Sequence, residues 1–119
     1  MYQIREVILQ NKHTERKRLV IEFADPAQAI IGEFLMTDAS LLNFSILRDL
    51  NKVISMENHC IETSGNRCFL KISPTKTYIE DLYEGLFADF DTLPAYEIDT
   101  KELRDLVVMW KSKLAELKE

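Results

Sequence analysis

From Cys60 to Tyr83 the chain alternates. Cys68, Leu70 and Ile72 interleave with Arg67, Phe69, Lys71 and Ser73, the period of a strand with one buried face. Ser64-Gly65-Asn66 and Ser73-Pro74-Thr75-Lys76 interrupt the pattern. Gly and Asn accept positive φ and Pro presets a turn dihedral, so both interruptions read as turns between three antiparallel strands. A three-residue loop at Ser64-Gly65-Asn66 sets Thr63 against Arg67, Glu62 against Cys68 and Cys60 against Leu70. Tyr2 to Gln10 and Arg18 to Ala24 also favour strand, with Leu19, Ile21 and Phe23 on one face. The polar stretch Asn11 to Lys17 joins them as a hairpin loop.

The period changes at Ser40. Leu42, Ile46, Leu47, Leu50, Val53 and Ile54 make one helical stripe, with Asn43, Arg48, Asp49 and Lys52 opposite. Asp38 or Ser40 is placed to cap that helix. A second helix starts after Asp99, where Asp99 and Glu102 have capping-box spacing. Its seam is Leu103, Val107, Trp110, Leu114 and Leu117, one face wide and suited to docking on a sheet. The stretch 25–36 is ambiguous. Asp25-Pro26 has the form of a helix start, yet Gly32 near the middle of a helix would cost about 1 kcal/mol relative to Ala. The favoured reading is a turn at 25–29 followed by a third strand, with Gly32 at a bulge.

These elements predict an α+β fold for one domain over residues 1–119. It is a two-layer, mainly antiparallel β-sheet of five to six strands in ββ(β)α-βββα order, with two helices on one face. With 119 residues and 46% apolar content, such a chain buries a core without metal or disulfide support. No apolar run reaches membrane-spanning length, and MYQIREVILQ carries charge within its apolar stretch, unlike a signal peptide. A cytoplasmic protein without a membrane partner is expected. Cys60 and Cys68 would be diagonal neighbours, poorly placed for bridging, so buried, reduced thiols are expected.

Catalytic signatures are missing from the sequence. It has no nucleophile elbow, Walker loop or dinucleotide glycine pattern, and no cysteine or histidine pair at zinc spacing. His13 falls among Lys12, Arg16, Lys17 and Arg18 on the hairpin loop, and His59 falls at a helix-to-strand junction. Glu80 and Asp81 are adjacent on a strand, so they face opposite sides and cannot converge on one substrate atom. The reading is a non-enzymatic protein with no cofactor and no metal.

Charge alters this picture. The net charge is −5, but Thr77 to Thr100 has no Lys or Arg and seven acids, a local charge of −7, so the remainder carries +2. An acidic protein disfavours nucleic acid as a direct partner. The acids crowd the connection Tyr83 to Asp99, YEGLFADFDTLPAYEID, between the last strand and the last helix. Glu80, Glu84, Asp89, Asp91 and Glu97 lie there or beside it, among the rings of Tyr83, Phe87, Phe90 and Tyr96. One reading has Leu86, Phe87 and Phe90 closing the core while the acids keep the connection soluble. The other makes those nine residues a binding surface, with aromatic anchors and carboxylates that attract a basic protein.

The hairpin Glu62-Thr63-Ser64-Gly65-Asn66-Arg67-Cys68 and the ending Tyr96-Glu97-Ile98-Asp99-Thr100-Lys101-Glu102-Leu103, continuing to Trp110, carry a resemblance. From Asp38 onward the chain resembles the small immunity proteins of bacterial polymorphic toxin and contact-dependent growth inhibition systems. The resemblance implies a bacterial inhibitor that binds a cognate toxin, often a nuclease, and blocks its active site or substrate path. Two other readings stay open. One is a small-ligand or metal-dependent enzyme domain with a cleft under loop 84–97, using Glu84, Asp89 or Asp91. The other is a self-associating subunit, a homodimer, because one sheet face and edge lack an evident cover.

Overall fold

The computed structural model describes residues 2–10, 12–39, 44–82 and 93–117. Strands β1 (Tyr2–Gln10) and β2 (Glu15–Phe23) form an antiparallel hairpin, with Ile4 opposite Ile21 and Glu6 opposite Leu19. β2 starts three residues before the expected Arg18, so the loop is shorter than predicted. Ile21 is buried, and the Tyr2 and Phe23 rings meet at 5.7 Å at the hairpin base.

Residues 25–36 are helical, against the favoured strand. Pro26–Gln28 form a 3₁₀ turn, helix α1 follows at Ala29–Phe34, and a π-turn covers Leu35–Ala39. Asp25 caps the start, its Oδ1 accepting from the Ala27 amide at 2.9 Å. The glycine that argued against a helix helps this one to pack. A Cβ on Gly32 would lie 3.2 Å from the Ile21 carbonyl oxygen, so a side chain there would push α1 or β2 back by a few tenths of an ångström, and glycine lets them meet without that shift.

Helix α2 (Ile46–Ile54) buries Ile46, Leu50 and Val53. It starts later than the predicted Ser40, and the proposed cap Ser40 lies outside the described residues. The helix ends at Met56, in the left-handed region at φ 68°, with the Glu57 amide bonded back to the Lys52 carbonyl at 2.9 Å. The meander follows as β3 (Ile61–Ser64), β4 (Cys68–Ile72) and β5 (Lys76–Asp81).

The last strand was not foreseen. Tyr96–Asp99, read above as part of a connection, is β6 and pairs antiparallel with β5. Helix α3 (Thr100–Leu117) follows at once and buries Leu103, Val107 and Trp110 of the expected seam. The Glu102 amide donates to Asp99 Oδ2 at 3.2 Å, as the capping spacing predicted. The buried Thr100 hydroxyl joins this helix to the sheet, donating to the Ser73 carbonyl at 2.6 Å and lying 2.9 Å from the Thr77 hydroxyl.

The fold is α+β, as expected. Among the described residues six strands form two antiparallel sheets, β1-β2 and β3-β4-β5-β6, where a single sheet was predicted. The described residues include three α-helices, where two were predicted. The core joins Ile21 of the hairpin, Ile30, Ile31, Phe34 and Leu35 around α1, and Leu70, Ile72 and Ile79 of the larger sheet.

Candidate partner-binding site

The β3–β4 register differs from the expected one. Thr63 faces Leu70, and Glu62 faces Lys71, because the turn spans 65–68 and closes with the Gly65 amide on the Cys68 carbonyl at 2.9 Å. Asp38 sets this turn from 28 residues away. Its carboxylate accepts from the amides of Asn66 at 2.9 Å, Arg67 at 3.1 Å and Cys68 at 2.7 Å, a nest of backbone donors around an anion. Gly65 leaves the room: a Cβ there would fall 2.5 Å from the Asp38 carboxyl carbon. Asp38 is thus a buried anchor, and the cap role expected of it for α2 is not what it performs. Cys60 and Cys68 are both free thiols; Cys68 is buried, as expected, whereas Cys60, just ahead of β3, is exposed.

Arg67 continues the network with its side chain. Its Nη1 lies 3.2 Å from Glu33 Oε1, and its Nη2 lies 3.0 Å from Asp81 Oδ2. Asp81 is 1% exposed, and its Oδ2 also accepts from the Leu93 amide at 3.0 Å. The end of β5 is thereby tied to the chain where it re-enters the described structure. Burial alone would lower the Arg67 pKa, but its bond to Asp81 and the charges of Glu33 and Asp81 outweigh this and raise it. Burial, reinforced by Asp38 and Asp81, pushes the Cys68 thiol up to about 12, which keeps it protonated and unreactive at neutral pH.

Pairing fixes which way each predicted site residue faces. Residues directly opposite in a ladder share a face. Thr77 and Ile98, Ile79 and Tyr96, and Leu70 and Ile79 are such pairs on the core side. On the outward side Glu80 stands opposite Phe69, Tyr78 opposite both Lys71 and Glu97, and Lys76 opposite Asp99. Glu80 is half-buried and Glu97 exposed. Tyr96 belongs to the other face, its hydroxyl accepting from Gln28 Nε2 at 3.2 Å. The structure therefore brings Glu80 and Glu97 together and separates Tyr96 from them. Tyr83, Glu84, Phe87, Asp89, Phe90 and Asp91 lie outside the described residues.

The outward face contains residues that the sequence reading did not single out. Phe69 and Tyr78 are half-buried aromatics at its centre, and Glu62 and Asp99 join Glu80 and Glu97 around Lys71 and Lys76. The alternation of β5 would have shown Tyr78 and Glu80 on one face, since only two positions separate them. The partnership with Glu97 depended on recognising β6. Adjacent Glu80 and Asp81 do face opposite sides, as the sequence implied.

This face offers rings flanked by carboxylates and no nucleophile–base pair. Among the described residues no group of three or more His, Cys, Asp or Glu is placed to hold a metal ion. The depression beside Asp38, Asp49 and Ser64 encloses about 30 Å³, room for about one water molecule. No described helix is long and apolar enough to cross a membrane.

A protein of Bacillus cereus named "Immunity protein" is 32% identical over 90 residues, covering 75% of this chain and 73% of the relative. The chain belongs to that immunity-protein family. No protein-family model matches it, and no solved structure does. Aromatic anchors within a polar rim are a common composition of a protein-binding surface.

Proposed function

We propose that the chain neutralises a cognate toxin by binding it through the outward face of the β3–β6 sheet and the acidic, aromatic segment that follows β5. The observation that carries this reading is the grouping of Glu80 and Glu97 around Phe69 and Tyr78, beside a stretch with a charge of −7 from Thr77 to Thr100. Tyr83, Glu84, Phe87, Asp89, Phe90 and Asp91 are the remaining toxin-contacting residues in this proposal. The partner it fits is a cationic toxin domain, with a nuclease the best match, because a nuclease cleft that attracts phosphates also attracts carboxylates. Occupying that cleft blocks the active site or the substrate path without any chemistry by the inhibitor. Such a toxin acts in the cytoplasm of a competing bacterium, and its inhibitor works in the same compartment.

The test is a pull-down of the partner from the native host, followed by stopped-flow association with it across a salt series. Fast association that slows steeply with salt is expected. Association independent of salt, or unchanged in a Glu80→Lys/Glu97→Lys variant, removes this surface from the reading.

A further inference from the structure

Among the described residues β1 and β2 pair only with each other, so each keeps an open edge. The two edges are built differently. The outer half of β2 is Glu15-Arg16-Lys17-Arg18, a charged run of the kind that keeps an edge from recruiting another strand. The matching part of β1 is Val7-Ile8-Leu9, uncharged, with Ile8 54% and Leu9 50% exposed. The hairpin base is covered, but beyond the Glu6–Leu19 pair every described residue except Val7 is exposed. A two-stranded hairpin that packs on nothing is marginal in water. This half calls for a further strand on the β1 side.

We propose that this edge pairs antiparallel with the β1 edge of a second copy, about a two-fold axis through Ile8. With the axis normal to the sheet, Ile8 opposes Ile8, Val7 opposes Leu9 and Glu6 opposes Gln10, so the two exposed apolar positions, Ile8 and Leu9, both meet apolar partners. Centring on Glu6 or Arg5 would oppose like charges, and centring on Val7 would set Glu6 against Ile8. Pairing through β2 would stack the two basic runs. In the order β2-β1-β1-β2 those runs stand about 14 Å apart, at strand spacings of about 4.8 Å, beyond the roughly 8 Å over which charge acts at physiological salt. Lys12, Arg16, Lys17 and Arg18 also set this hairpin against a cationic toxin, which leaves the second copy as its occupant. The short ladder makes this a weak, reversible dimer, since so few paired residues fall below the size of stable interfaces. The choice of a second copy over the toxin rests on the proposed toxin being cationic, whereas the open edge of β1 and its uncharged Val7-Ile8-Leu9 run do not.

Sedimentation velocity of the full chain over a concentration series tests it. A reversible monomer–dimer equilibrium is expected, and Ile8→Lys should stay monomeric with an unchanged circular dichroism spectrum and melting temperature. In a Cys60→Ser background, Ile8→Cys should form a covalent dimer on mild oxidation and Gln3→Cys should not. A wild type that is monomeric at its highest soluble concentration overturns the proposal. So does a dimer that survives Ile8→Lys, or equal crosslinking at Gln3. Loss of toxin binding in Ile8→Lys would assign the edge to the toxin and overturn it as well.

Discussion

Glu80 and Asp81 are adjacent carboxylates on β5, and the pleat of one strand separates their roles. Asp81 faces the core side, where Arg67 and the Leu93 amide hold it. Glu80 faces outward, opposite Phe69 and near Lys71 and Glu97 across the ladders. The first belongs to a network that fixes the frame, and the second to a surface that frame displays. Charge by itself does not tell them apart. Position relative to the sheet does, and this predicts opposite results from substituting neighbours.

The largest effect should come from the inner side. Removing Arg67 leaves Asp81 buried without its cation and releases Glu33, so Arg67→Ala should lose roughly 3–5 kcal/mol of stability. Glu80→Ala should stay within about 0.5 kcal/mol of wild type. Urea denaturation of both variants measures the contrast, and similar losses would erase it.

Cys68 and Phe69 repeat the division one strand away, and pH is the probe. The buried thiol has its pKa raised from 9.0 to about 12, so the folded state favours the protonated form. The associated stability is complete below pH 9 and is lost as pH rises towards 12, because the unfolded chain ionises first. By pH 10.5 the loss should reach about 2 kcal/mol, at about 1.4 kcal/mol per pH unit. Cys68→Ala should lack this component while keeping the one from lysines, so the difference between the two stability–pH curves isolates it.

How much of this was legible in the sequence depended on range. The α3 seam and its Asp99 cap are local features, and both were readable. So was the meander, from alternation and turn residues. The β3–β4 register was not, because Asp38 enters the turn from a distant π-turn and no spacing encodes that visit. Residues 25–36 misled for a related reason. Gly32 lowers helix propensity, and the close approach to the Ile21 carbonyl that favours it exists only after folding. For the site, the acids were plain in the composition. Their grouping required β6, whose four residues were hidden in a long connection, and Tyr96 consequently fell on the wrong face.

The outer side should respond in kinetics instead of stability. Reversing charge in Glu80→Lys/Glu97→Lys should slow toxin association about tenfold at low salt with little change in melting temperature. The two rates should converge as salt rises. A large stability loss with unchanged association would place these residues in the frame after all.

Asp99 is the sharpest probe because it stands on both sides of the division. It lies opposite Lys76 on the outward ladder, and its carboxylate also accepts from the Glu102 amide at the start of α3. Asp99→Ala removes cap and charge together and should cost about 1 kcal/mol. Asp99→Asn keeps a capping oxygen and removes only the charge, so it should restore most of that stability. If the outward face is the docking surface, Asp99→Asn should still slow toxin association, by a smaller factor than the Glu80/Glu97 reversal. Urea denaturation and stopped-flow association on this pair then read the two roles of one carboxylate separately. Equal association rates for wild type and Asp99→Asn would confine Asp99 to the frame and draw the boundary of the binding surface at Glu97.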